Sequence, residues 1–153
     1  MLTRHGTLPT VVPLQGIFLP LGDSLISWRS KKQSVVACSS TEAEYQALAD
    51  TTIELLWLCW LLQDLSIDCS TVVLIHCDNQ SAIQITHNDV FHERTKHIEI
   101  DCHFVRHHLL QGTLQLRSVS SQDQLADIFT KPMPPGRFRD LVFKLKLVSL
   151  HPT

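Results

Sequence analysis

Thr71-Val-Val-Leu-Ile-His-Cys77, running directly into Asp78-Asn79-Gln80-Ser81, is the stretch whose reading decides the fold. A β-branched run that is apolar on both faces reads as a strand covered from both sides, as in the middle of an α/β sheet. The polar residues after it open a short helix to about Thr86. Asp78 is the first residue beyond the carboxyl end of that strand, where sheets of this class place their ligands.

Working upstream, Ser39-Ser40-Thr41-Glu42-Ala43-Glu44 opens a helix, with Thr41 and Glu44 at capping-box spacing. Ala47, Leu48, Thr51, Leu55, Leu58 and Leu62 continue as one stripe to about Leu65. Glu44 shares the line of Leu48, Thr51 and Leu55, so its side chain is expected to face the core, whereas Glu42 lies off that line. Further upstream, Gly16-Ile-Phe-Leu19 and Leu25-Ile-Ser-Trp28 flank the turn Leu21-Gly22-Asp23-Ser24 and read as a hairpin. Pro20 confines the first strand to an edge or ends it early.

Downstream, a polar turn from His87 to Glu93 precedes an amphipathic helix with Ile98, Cys102, Val105 and Leu109 on its stripe, stopped by Gly112. Thr113 to Val119 alternates as a strand, Ser121 to Gln124 caps a helix through Thr130, and Phe138, Leu141, Val142 and Leu145 mark a last helix. The order is hairpin, helix, strand, helix, helix, strand, helix. It predicts an α/β fold, a sheet layered with helices.

A net charge of −2 excludes a global basic field for nucleic acid, so any such binding must rest on a local patch. Arg94, Lys96 and His97, with Lys31 and Lys32, supply one; the plain alternative is a solvated charged turn. The five cysteines form no C-x-x-C pair, and Cys59 and Cys77 lie in apolar runs, which suits reduced core thiols. The chain is therefore expected to be intracellular, cytoplasmic or nuclear, and not secreted. No stretch suits a signal peptide or a membrane span, since prolines at 9, 13 and 20 interrupt the first and Ile53–Leu62 is too short for the second. His103 and His107 share a helix face, but no second pair at ligand spacing completes a tetrahedral zinc site. Cys77 beside Asp78 lacks the elbow of a thiol hydrolase and reads as an inert core thiol. Trp57 and Trp60, inside an apolar helix, read as core rather than base-stacking residues.

Three carboxylates stand in unusual places: Glu44 on an apolar stripe, Asp78 after the strand, and Asp127 beside Leu125 and Ile128. A buried carboxylate is costly unless paired or bound to a cation. Converging, the three would suit Mg²⁺ or Mn²⁺, and two ions about 4 Å apart would activate water and stabilise the leaving oxygen of a phosphodiester. Taken singly, each has a plain reading as a helix cap or dipole partner. Asn79 and Gln80 would contact a sugar or base edge, or simply cap the helix.

Ser39–Leu48 (SSTEAEYQAL), Cys77–Ala82 (CDNQSA), Arg94–Ile98 (RTKHI), Asp123–Asp127 (DQLAD) and Thr130–Pro132 resemble, in order and spacing, the ribonuclease H region that ends copia-type retrotransposon Pol polyproteins. Leu21–Gln33 and Gly136–Leu150 fit the same pattern, so the resemblance spans about residues 16–150. It implies a ribonuclease H-like domain over 16–132, a C-terminal linker and helix over 133–153, and a disordered leader outside the family over 1–15. The resemblance also implies a five-stranded mixed sheet flanked by helices, a reverse transcriptase domain in the intact polyprotein, and no membrane association. Its implied activity is cleavage of RNA in RNA–DNA hybrids with two divalent ions.

Carried over motif by motif, Glu44, Asp78 and Asp127 would be catalytic metal ligands; Asn79, Gln80, Arg94, Lys96 and His97 are candidates at the substrate on their own polar and basic chemistry. The family's first carboxylate comes from a strand ahead of the hairpin, in a Ser-Asp-Ala-Asp-Trp-Ala-Gly-like segment. Residues 1–15 contain no Asp or Glu, so that strand is expected to be missing. Two readings follow, a ribonuclease H-type nuclease and a catalytically inactive, truncated remnant with at most weak nucleic-acid binding.

Overall fold

The computed structural model describes residues 14–21, 24–32, 39–88 and 99–145. Strand β1 (Leu14–Leu21) pairs antiparallel with β2 (Ser24–Lys32). Helix α1 (Ser40–Asp64) leads to β3 (Val73–Cys77), α2 (Gln80–His87) and α3 (Glu99–Leu110). Strand β4 (Leu114–Ser118) then pairs parallel with β3, and a 3₁₀ turn (Leu125–Phe129) precedes α4 (Pro135–Lys144). The architecture is α/β, as the sequence predicts.

The hairpin forms where expected, although β1 already includes Leu14 and Gln15. Gln15 is buried, and its side-chain amide donates to the Ala47 carbonyl at 3.3 Å. The pairing register shifts between Leu19 and Pro20, because proline cannot donate to the ladder. Gly16 answers a packing demand. A Cβ there would stand 2.7 Å from the Ala126 carbonyl oxygen, so only glycine lets the 3₁₀ turn lie on β1.

Ser39, not Thr41, caps α1, its hydroxyl accepting from the Glu42 amide at 3.1 Å. Ser39 and Glu42 have the same four-residue spacing, and the extended backbone at Ser39 decides between the two candidates. Leu48 and Leu55 are buried as predicted, together with Tyr45, Ala49 and Thr52. Trp57 and Trp60 are not core: they are 56% and 63% exposed, on the face of α1 opposite the side whose Leu55 and Leu58 meet the core.

Helix α3 buries Cys102 and Val105, and Gly112 ends the segment with φ of 72°. Arg106 closes the C-terminal end of α2, its guanidinium donating to the carbonyls of Ile85, Thr86 and Asn88. The Thr86 and Tyr45 hydroxyls hydrogen-bond at 2.9 Å in the core, tying α2 to α1. Leu141 and Leu145 anchor α4, while Phe138, expected on the buried stripe, is 48% exposed. The helix expected through Thr130 is only a five-residue 3₁₀ turn, since Pro132 stops it before a second turn forms.

The largest departure is in the sheet. Among the described residues there are two separate two-stranded sheets, β1–β2 and β3–β4, rather than one five-stranded sheet. Strand β3, expected to be central and doubly covered, pairs only with β4 among the described residues. Ile75 and Cys77 are buried, but Leu74 is 40% exposed. The apolar composition of Thr71–Cys77 suits a central strand whose second neighbour is absent among the described residues.

Candidate metal-binding site

Three elements bring the three candidate carboxylates to one cavity. Glu44 lies in the second turn of α1, Asp78 follows β3, and Asp127 lies in the 3₁₀ turn held on β1 by the Gly16 contact. All three line a cavity of about 640 Å³, walled by β1, α1, β3 and the 119–131 segment.

Burial raises the Glu44 carboxyl above its ordinary range, and the nearby Asp78 and Asp127 push it further. Lys131 and a contact from the Cys77 thiol, 3.9 Å from Glu44 Oε1, act the other way. The same burial drives the Cys77 thiol up to about 11, so it stays protonated near neutral pH and is no nucleophile.

Asp127 is 5% exposed and held by two cations. Arg137 Nη2 stands 2.8 Å from Oδ2, and Lys131 Nζ stands 3.0 Å from Oδ1. Arg137 also donates to the Ser121 carbonyl, and Lys144 pairs with Asp123, so α4 is fastened to the segment carrying Asp127. These basic partners escape a sequence reading. Lys131 follows Asp127 at helical spacing, a usable signal, but Arg137 arrives across a proline link that no period predicts.

All-oxygen donors fit a hard divalent cation in kind. Among the described residues, however, no three His, Cys, Asp or Glu side chains stand close enough together to hold an ion. The carboxylates share a cavity and an electrostatic field, not a ready coordination sphere.

Of the residues expected at the substrate, Asn79 caps α2, its side-chain oxygen accepting from the Ala82 amide at 3.0 Å. Gln80 is exposed in the first turn of α2. Arg94, Lys96 and His97 lie outside the described residues. Lys31 and Lys32 are exposed at the end of β2 and do not line the cavity. His103 stands 3.8 Å from Glu99, and the His107 ring meets His108 edge-on. No helix among the described residues is long and apolar enough to cross a membrane.

The chain is 43% identical over 148 residues to the "Retrovirus-related Pol polyprotein from transposon RE2" of Arabidopsis thaliana, covering 97% of this chain and 10% of that protein. The corresponding protein from transposon RE1 of the same plant gives the same figures. The polyprotein from transposon TNT 1-94 of Nicotiana tabacum is 38% identical over 136 residues, 89% of this chain and 10% of that one. The chain thus spans about a tenth of the curated relatives it matches. No family model matches it, and no solved structure does.

Proposed function

We propose that this chain is a ribonuclease H-like domain of a retrotransposon Pol polyprotein, built to hydrolyse RNA in RNA–DNA hybrids. The observation that carries the reading is the convergence of Glu44, Asp78 and Asp127, from three separate elements, on one cavity. Glu44's raised carboxyl supports it, since a buried acid beside two others is relieved by a cation.

Glu44 and Asp78 would hold Mg²⁺ or Mn²⁺, with Asp127 completing a second site. Bound ions would supply an activated water and stabilise the leaving oxygen. The protein's own contribution is placement. The strand end fixes Asp78, the core-facing side of α1 fixes Glu44, and Arg137 and Lys131 fix the Asp127 carboxylate. Asn79, Gln80, Arg94, Lys96 and His97 would meet the nucleic acid.

A second reading is a catalytically inactive remnant of such a domain. The absence of a ready three-ligand cluster among the described residues favours it, as does the neutralisation of Asp127 by two cations. A labelled RNA–DNA hybrid incubated with the chain and increasing Mg²⁺ separates the readings. Metal-dependent cleavage, reduced at least about 100-fold by Asp78→Asn, is the outcome expected of the nuclease. Complete inertness at every metal concentration is the outcome expected of the remnant.

A further inference from the structure

The connection from α1 to β3 folds back on the helix it leaves. Ser66, at φ 60°, reverses the chain. The Ile67 amide donates to the Leu62 carbonyl at 2.8 Å, and the Ser66 amide donates to that of Gln63 at 2.9 Å. This is the pairing of a Schellman turn, with its left-handed residue just past the helix end. The Asp68 carboxylate then accepts from the Ser70 amide at 2.9 Å and from its hydroxyl at 3.0 Å, which tightens the chain around Cys69.

The reversal carries Cys69 back to Cys59, ten residues earlier on α1. Cys59 stands one turn after Leu55, toward the side of the helix that meets the core. It is nonetheless only half-buried, not the core thiol that its apolar run predicts, and so is Cys69. Both line a cavity of about 290 Å³ together with Trp60, Val73 and Thr113. The two thiols hydrogen-bond there, and burial together with that neighbour holds the Cys59 thiol above its ordinary range. Cys77 and Cys102, by contrast, are buried in the main core.

We propose that Cys59 and Cys69 form a redox pair, oxidised by a small disulfide such as glutathione disulfide to a bond that staples the α1–β3 connection to α1. One protein thiol gives up its proton, and its thiolate attacks a sulfur of the glutathione disulfide. That sulfur–sulfur bond breaks, one glutathione leaves as a thiolate, and a mixed disulfide remains on the protein. The second protein thiol, deprotonated in turn, attacks the protein sulfur of the mixed disulfide and releases the second glutathione. The protein loses two electrons and two protons, and one glutathione disulfide becomes two glutathione thiols. Thiols already in contact need only side-chain rotation to reach the bonded separation of about 2 Å. Closing so short a loop restricts the unfolded chain, so the oxidised protein is expected to melt about 5–10 °C above the reduced one. The pair stands apart from the nuclease reading, because bond formation and melting are measured without nucleic acid or metal.

The test starts from the reduced full chain, equilibrated natively with glutathione disulfide and glutathione. The mixture is quenched with an alkylating agent, digested without reductant and mapped by mass spectrometry. The peptide linking Cys59 to Cys69 is expected at least about tenfold in excess over every other disulfide. Cys59→Ser and Cys69→Ser should each remove both that bond and the rise in Tm, and dithiothreitol should return the parent to its reduced melting temperature. Linkage through Cys38, Cys77 or Cys102 instead overturns the proposal, as do glutathione adducts that never resolve into the Cys59–Cys69 bond. An oxidised parent that melts no higher than the reduced one overturns it too. Because the mapping is made on the parent chain, it decides the matter even where a serine variant fails to fold.

Discussion

Glu44 concentrates the physics of the site in one carboxyl. Its proton is held more tightly in the folded chain than in the unfolded one, so its contribution to stability is fully present below the unfolded value of 4.5. That contribution is lost as pH rises through the folded value. Glu44→Gln removes the penalty, and metal-free thermal unfolding is expected to show the variant melting above the parent at pH 7. The gap should close as pH falls below 4.5. Equal melting temperatures across the range would show that Glu44 carries no strain. Glu44 was legible in the sequence, because an acid on an apolar helical line is conspicuous. Glu42 was not: it lies off that line, yet it is buried in the first turn, where N-terminal geometry outweighs the stripe.

At the scale of elements, the contact between β1 and the 3₁₀ turn holds Asp127 in place. Gly16→Ala drives a methyl group into the Ala126 carbonyl and the Thr130 side chain. It should cost about 1–3 kcal/mol, or roughly 2–4 °C in Tm per kcal/mol at this chain length. If the fit matters to the site, Mg²⁺ should also protect the variant less against heat than it protects the parent. A scan of both proteins with and without Mg²⁺ decides this, and an unchanged Tm would deny the close approach. Periodicity and composition made α1, α3 and β3 legible. It did not reveal that Ser121–Thr130 makes a 3₁₀ turn, since cap residues and apolar spacing announce a helix without fixing its length. The proline at 132 decided that, together with the bed that Gly16 provides.

For the molecule as a whole, the decisive fact is that the described strands form two separate pairs, β1–β2 and β3–β4. The amino-acid pattern around Thr71 showed a strand suited to the middle of a sheet, but pairing partners are a property of the whole chain and no local pattern reports them. Amide hydrogen exchange monitored by NMR should show the split directly. The Leu74 and His76 amides, facing the cavity, are expected to exchange at least tenfold faster than that of Ile75, which faces β4. Equal protection at all three would mean that the cavity-side edge of β3 is already covered. The cluster of acids was legible one residue at a time. Of its basic counterweights, Lys131 stands at helical spacing from Asp127, whereas Arg137 became visible only once α4 was seen to fold back on Asp127.

The outward-facing side of α1 also settles how this protein can be watched. The protein's three tryptophans, Trp28 on β2 and Trp57 and Trp60 on α1, are 60%, 56% and 63% exposed. Their emission in the native state should already be red-shifted and open to acrylamide quenching, and denaturation should move it little. Intrinsic fluorescence will therefore report a nearly silent transition even when the fold is lost. Far-UV circular dichroism, dominated by the 25 residues of α1, will follow the same unfolding clearly.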